Sequence, residues 1–320
     1  MQLNSIAHKH VLIAPLDWGM GHTTRCVPII NTLLTQQCTV TIACNTAQKT
    51  YYTKELGNRQ RLNYQALQGY NIFYWNKLFT LAIVLQLPKL LLKINYEHRW
   101  LTHYLRHNAC QVILSDNRYG LHNSTVTNLL ITHQLQVITP YGKRIINHLI
   151  ARAINKFNYC WIPDNANENE RLSGILSQNN TVTIPTQYIG VLSRMALKIN
   201  KQPNTVLVLL TGPNAAKQSL LQLIISKYAH TTHTVTIVNA PKCSTLANIT
   251  MLTTATTEQL QGLINTHSTI ITRSGYTSIM DFYALQQPVQ LIATPHQPEQ
   301  EYLLTYVCTK FPELFSPFIN

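Results

Sequence analysis

An apolar run from Ser268 to Thr272 breaks at Arg273-Ser274-Gly275 and gives way to helical spacing, with a carboxylate two turns on at Asp281. A helix that starts in this way leaves backbone N–H groups free to face an anion, and an ionised Asp281 accepts hydrogen bonds from hydroxyl groups. Phosphate at the helix start and ribose at the carboxylate is the chemistry of nucleoside diphosphate binding. Arg273 could pair with the diphosphate, or equally be a surface arginine at a strand end. Downstream, in Pro295-His296-Gln297-Pro298-Glu299-Gln300-Glu301-Tyr302, Gln300 carries an amide able to read sugar hydroxyls, the alternative being an exposed polar helix start.

Near the amino end, Asp17-Trp18-Gly19-Met20-Gly21-His22 also follows an apolar run and precedes helical spacing. His22 is the candidate general base, because an imidazole titrates near neutrality and can take a hydroxyl proton without a large environmental shift. A capping or loop histidine is the plain alternative. Gly19 and Gly21 either let the backbone approach a substrate or phosphate, or form an ordinary strand-to-helix turn. Asp17 is a weaker base candidate, since an Asp before a helix is usually an N-cap. Two further loops share this strand-to-helix placement. Leu210-Thr211-Gly212-Pro213-Asn214 offers Thr211 and Gly212 to a phosphate, although Pro213 has no N–H to give. Ser115-Asp116-Asn117-Arg118-Tyr119-Gly120 ends another apolar run. There Asp116 could assist the base and Arg118 could hold an acidic acceptor, unless the segment is only a hydrogen-bonded turn.

Ser274-Gly275, Asp281 and Gln300, together with the glycine loop ending in His22, resemble the signature of glycosyltransferase family 28, whose best-known members are the peptidoglycan N-acetylglucosaminyltransferases that complete lipid II. The resemblance runs from about Val11 to about Tyr306, the middle third matching only in general pattern. It implies a GT-B fold, α/β with two Rossmann-like domains facing across a cleft: an acceptor-binding domain over 1–192, a linker over 193–204 and a donor-binding domain over 205–320. It further implies inverting transfer of a sugar from a UDP-sugar to an acceptor hydroxyl, lipid-linked or part of a cell-envelope glycan. No catalytic metal and no cofactor beyond the UDP-sugar co-substrate are expected. Ser274 and Gly275 would meet the phosphates or the uracil edge, Asp281 the ribose, Gln300 the sugar, and His22 the acceptor hydroxyl. The family often has Gly-Gly-Ser where this chain has Thr211-Gly212-Pro213, so fewer backbone donors are expected there. Relatives commonly carry a closing helix after the position of Tyr302, which is expected to be short or absent.

Composition fits without selecting this reading. The chain has 320 residues, enough for two ordinary domains, and is 45% hydrophobic but only 12% charged. Its 25 Lys plus Arg against 12 Asp plus Glu give a net charge of +13. Such a surplus attracts phosphate in some form, whether nucleotide, nucleic acid or anionic lipid. No RRM, KH or helix-turn-helix pattern accompanies it, so nucleic acid is not an expected partner. Seven cysteines without CxxC or zinc-finger spacing argue against a disulfide scaffold and a structural metal, and favour the cytosol. The segment from Tyr70 to Arg106 mixes Phe73, Trp75 and Phe79 with Lys89, Lys93, Arg99 and Arg106. It reads either as a peripheral membrane contact at the inner face or as a pair of core helices.

The elements that must carry these loops alternate. Strands are predicted over Val11–Pro15, Thr39–Cys44, Gln111–Ser115 and Tyr159–Ile162, with helices after the glycine loop and over Arg144–Phe157. The pattern restarts with strands over Thr205–Leu210, Thr234–Val238, Thr269–Thr272 and Val289–Ala293, interleaved with helices over Ala215–Tyr228 and Glu258–Asn265. This is the pattern of parallel sheets flanked by helices, in which ligands bind beyond the carboxyl ends of the strands. A nucleotide-sugar epimerase or hydrolase of the same fold, or a non-catalytic subunit that binds nucleotide sugar or docks to a membrane, stays open beside the transferase.

Overall fold

The computed structural model describes residues 3–70, 86–139, 142–195, 201–241 and 246–319. Between Leu192 and Ser193 the chain passes from one compact unit to a second. The expected linker over 193–204 is shorter at its far end, because the first strand of the second unit starts at Gln202.

The first unit runs β1 (His10–Pro15), α1 (Met20–Thr35), β2 (Thr39–Cys44), α2 (Thr46–Leu56), β3 (Leu62–Ala66), α3 (Leu87–His107), β4 (Val112–Asp116), β5 (Thr127–Ile131), α4 (Lys143–Ile154), β6 (Tyr159–Ile162) and β7 (Thr186–Tyr188). Its seven strands lie in the order β3-β2-β1-β4-β5-β6-β7, and every pairing is parallel. The central strands read as unbroken apolar runs because helices cover both faces. Val11, Ile13, Val112 and Leu114 pack with Cys26, Ile29, Ile30 and Leu33 of α1 on one face. On the other, Leu12, Ala14 and Ile113 meet Leu101 and Tyr104 of α3, while Leu130, Cys160 and Ile162 meet Ile154 of α4. Strand residues alternate between faces, so α3 and α4 share one side of the sheet.

The second unit runs β8 (Gln202–Leu209), α5 (Asn214–Tyr228), β9 (Thr234–Val238), β10 (Ile249–Leu252), α6 (Thr257–Thr266), β11 (His267–Arg273), α7 (Tyr276–Ala284), β12 (Val289–Ile292), α8 (Pro298–Lys310) and β13 (Phe315–Pro317). Its sheet is β10-β9-β8-β11-β12-β13, again all parallel. Val206, Val208, Leu220, Ile224, Val235, Ile237 and Ile271 form its core.

Each sheet winds outward in both directions from one strand pair, β1/β4 in the first unit and β8/β11 in the second. At such a pair the connections leave on opposite faces and open a crevice at the carboxyl ends. The register aligns those ends: Pro15 lies beside Asp116, and Leu209 beside Thr272. The four loops singled out in the sequence leave from these two pairs.

Of the segment from Tyr70 to Arg106, residues 71–85 lie outside the described residues. The remainder is mostly α3, which buries Glu97, Leu101 and Tyr104 and exposes Leu87, Leu91 and Leu92. Among the described residues no helix is long and apolar enough to cross a membrane.

Candidate functional site

In the first unit β1 ends at Pro15, and Gly19 turns the chain into α1 with φ +84°. A Cβ on Gly19 would meet nothing within 4 Å, so the glycine answers a backbone requirement and not crowding. Gly21 lies inside the first turn of α1, next to His22. From that turn the His22 ring reaches the end of β4, its Nδ1 3.1 Å from Asp116 Oδ1. The expected pairing of His22 with Asp116 is therefore present.

Asp116 is fully buried and carries more than the histidine. Arg25, one turn after His22 on α1, donates from Nε to Asp116 Oδ2 at 3.0 Å and from Nη2 to Oδ1. The same Nη2 lies 2.8 Å from His22 Nδ1, and Arg25 Nη1 is 3.4 Å from His133 Nδ1. Burial raises the proton affinity of Asp116, but Arg25 and His22 outweigh it and hold the carboxyl below the usual carboxylate range. Burial and then Arg25 lower the pKa of His22, with Asp116 opposing. The ring is thus a neutral imidazole at neutral pH, with a side chain 15% exposed.

Asp17 and Arg118 do not join this cluster. Both Asp17 oxygens accept the Tyr70 N–H at 3.1 Å, and Arg118 Nη2 lies 3.5 Å away. Arg118 is fully buried; it donates to the Pro15 carbonyl at 2.9 Å and pairs with Glu97 at 2.7 Å. Glu97 also accepts from Tyr70 Oη at 2.7 Å and from the Gly120 N–H at 3.2 Å. The base role expected for Asp17 and the acceptor-holding role expected for Arg118 are corrected accordingly. Both residues are spent within the protein, on a buried ionic cluster that fastens the loop after β1 to α3 and to the loop after β4.

In the second unit, Gly212 adopts φ +90° with nothing near a would-be Cβ. Pro213 forms the N-cap of α5, and the Thr211-to-Asn214 loop is open to solvent. Across the strand pair, α7 starts at Tyr276 with Gly275 as N-cap, a residue with no side chain to cap the helix. Ser274 is buried and its hydroxyl donates to the Gln300 carbonyl at 2.8 Å. The Gln300 side chain, 7% exposed, accepts from the Thr294 N–H at 2.9 Å. These contacts join the β11 and β12 loops to the start of α8, engaging Ser274 Oγ and Gln300 Oε1 within the protein. Arg273 is corrected as well. It is 2% exposed and donates to the carbonyls of Ala293 at 2.6 Å and Ala216 at 2.9 Å, bracing α5 from below and not reaching into the crevice.

Asp281 lies on α7, half-buried. Ser193 Oγ donates to its Oδ1 at 2.7 Å. Burial raises its pKa to about 6, with Ser193 and the charge of Arg194 opposing. The Asp281 carboxyl is thus held by the first residues of the expected linker. Among the described residues no group of three His, Cys, Asp or Glu side chains is placed to hold a metal ion.

Sequence reasoning missed Arg25, Glu97 and Ser193. Arg25 had a signal, since three residues beyond His22 puts it on the same helix face. Glu97 and Ser193 had none, because their partners are distant in the chain.

No family model and no curated protein matches the chain. Solved structures do. The chain is similar to the Arabidopsis thaliana protein UGT89C1 complexed with UDP, with 14% identity and a TM-score of 0.64 over 95% of this chain and 84% of that one. It is similar to the glycotransferase of kitacinnamycin, with 13% identity and a TM-score of 0.65 over 98% and 86%. A third likeness is to Glycyrrhiza uralensis UGT73P12, with 12% identity and a TM-score of 0.63 over 97% and 81%. At such identities the likeness shows the fold: two Rossmann-like units of the GT-B class.

Proposed function

We propose that this chain is a glycosyltransferase that moves a sugar from a UDP-sugar to an acceptor hydroxyl, with inversion. The observation that carries the reading is the His22–Asp116 contact of 3.1 Å at the crevice of one sheet, combined with a helix that starts on a glycine at the crevice of the other. The first supplies a base, the second an anion site. A structural neighbour supports the same reading: Arabidopsis thaliana UGT89C1 is seen complexed with UDP, with UDP-L-rhamnose and with quercetin in three separate structures.

His22 Nε2 takes the proton of the acceptor hydroxyl as its oxygen attacks the anomeric carbon, and the bond from that carbon to the diphosphate breaks. Asp116 stabilises the imidazolium through Nδ1–H. The charge on the departing UDP is met by the N–H groups that open α5 and α7, and Asp281 accepts from the ribose. Neither step needs a metal or a cofactor beyond the nucleotide sugar.

The acceptor in this reading is lipid-linked or part of a cell-envelope glycan, reached from the cytoplasm at the inner face of the membrane. Leu87, Leu91 and Leu92 on α3 and Ile145 and Leu149 on α4 are exposed. They stand on the first turns of two helices that share one sheet face, interleaved with Lys89, Lys93, Lys143 and Arg144. Apolar side chains among cations suit an anionic bilayer surface.

The test is UDP release from a panel of UDP-sugars, with and without lipid-linked acceptors, in the wild type and His22→Ala. Acceptor-dependent release that falls by about 10²–10⁴-fold in the variant, with UDP binding retained, is expected. Release without any acceptor would favour the hydrolase, and binding without turnover the silent subunit.

A further inference from the structure

We propose that Arg25 is a positioning residue that decides which nitrogen of the His22 ring carries the proton, holding the resting ring with its proton on Nε2 and Nδ1 bare. A guanidinium has only N–H donors. Arg25 Nη2 stands 2.8 Å from His22 Nδ1, closer than the 3.1 Å to Asp116 Oδ1. An N–H directed at Nδ1 requires a lone pair there, and the single proton of the neutral ring then sits on Nε2. Asp116 competes for the same atom, but it already accepts from Nε and Nη2 of Arg25 and weakly from Cys26 Sγ at 3.4 Å. Its charge is met by a buried guanidinium, so its pull on an imidazole proton is weakened. Among the described residues, the ionisable groups acting on His22 are Arg25 on α1, Asp116 at the end of β4 and His133 beyond β5. Among the described residues, Arg25 Nη2 is the donor at shortest range from Nδ1.

The catalytic consequence rests on the glycosyltransferase reading; the proton placement does not. A ring protonated on Nε2 cannot take a proton there. His22 acts as a base only in the form where Nδ1–H points to Asp116 and Nε2 is bare, so Arg25 and Asp116 together set the fraction of active base. Arg25 acts through His22 and is expected to touch neither donor nor acceptor.

The decisive measurement is long-range ¹H–¹⁵N NMR of the full chain labelled at histidine, without substrate, with His22→Gln identifying the His22 signals. The wild type is expected to show the Nε2–H form, and finding Nδ1–H instead overturns the proposal. In Arg25→Met the Asp116 charge loses its partner. The ring should move to Nδ1–H or to imidazolium, with proton affinity rising about 10- to 1,000-fold. If that variant does not fold, Arg25→Lys serves: an ammonium lacks the planar fork that spans both Asp116 oxygens and Nδ1, so its hold on Nδ1 weakens and the Nδ1–H population should grow. An unchanged tautomer in whichever variant folds overturns the proposal. UDP titration of the same samples tests the donor site separately, so a failed glycosyltransferase reading and a failed tautomer assignment give different results.

Discussion

Asp281→Asn should make the protein more stable and bind UDP less well. Burial moves the Asp281 pKa from its ordinary 3.8 to about 6, so the folded state holds the proton more tightly than the unfolded chain. The stability linked to that proton is present in full below about pH 4 and is lost as pH rises through about 6. At neutral pH the ionised carboxylate costs the fold about 2–3 kcal/mol. Asparagine keeps an oxygen for Ser193 Oγ, 2.7 Å away in the wild type, and carries no charge to desolvate. Urea unfolding of both proteins from about pH 4 to about pH 8 should give curves that meet at the acid end and separate to about 2–3 kcal/mol above pH 7. Isothermal titration with UDP should move the other way. Exchanging a charged acceptor for a neutral one weakens ribose binding by about 10- to 100-fold, and wild-type affinity should itself fall as pH drops below about 6. Generic damage lowers both quantities together. Equal stabilities at neutral pH, or a gap that widens toward acid, would refute the reasoning.

Gly120→Ala should destabilise the protein by at least about 2 kcal/mol in urea unfolding, because the new Cβ would stand 2.2 Å from the Ile94 carbonyl oxygen and 2.7 Å from Glu97 Cβ. Gly212→Ala meets open space and only a positive φ, so its cost should stay near 1 kcal/mol. Glu97→Ala leaves the buried Arg118 without its 2.7 Å partner and should cost about 3–5 kcal/mol by the same measurement. Ile145→Glu with Leu149→Glu should abolish co-sedimentation with phosphatidylserine vesicles while leaving UDP binding unchanged; retained sedimentation would remove α4 from the proposed membrane face.

The central strands and the crevice loops were legible because their signals are local. Val11–Pro15 and Thr205–Leu210 are unbroken apolar runs, and each ends in a glycine turn. Strands β3, β5, β7, β10 and β13 were not foreseen. They are three to five residues long, and β3 has no buried residue at all, so tertiary pairing and not periodicity makes them strands. Helix α2 escaped for a related reason: Gln48, Tyr52 and Leu56 are its buried residues, and two of the three look polar in sequence. Within the site the His22 and Asp116 candidates were readable, each standing at the end of a strand–loop signal. What those residues touch was not. Arg118 and Arg273 look like free cations in sequence, and burial against Glu97 or against carbonyls is decided by chain segments from 20 to 103 residues away.

Gly120 allows no clearance between the loop after β4 and α3, where Ile94 and Glu97 press against it. The helix is clamped near its middle by the Arg118–Glu97 ion pair, and its leucine-bearing first turns overhang that clamp by about 9 Å, at 1.5 Å per residue from Leu91 to Glu97. Close-packed interiors transmit strain instead of absorbing it. The Arg118–Glu97 pair thus ties the middle of α3 to the loop two residues beyond Asp116, the carboxylate beside His22.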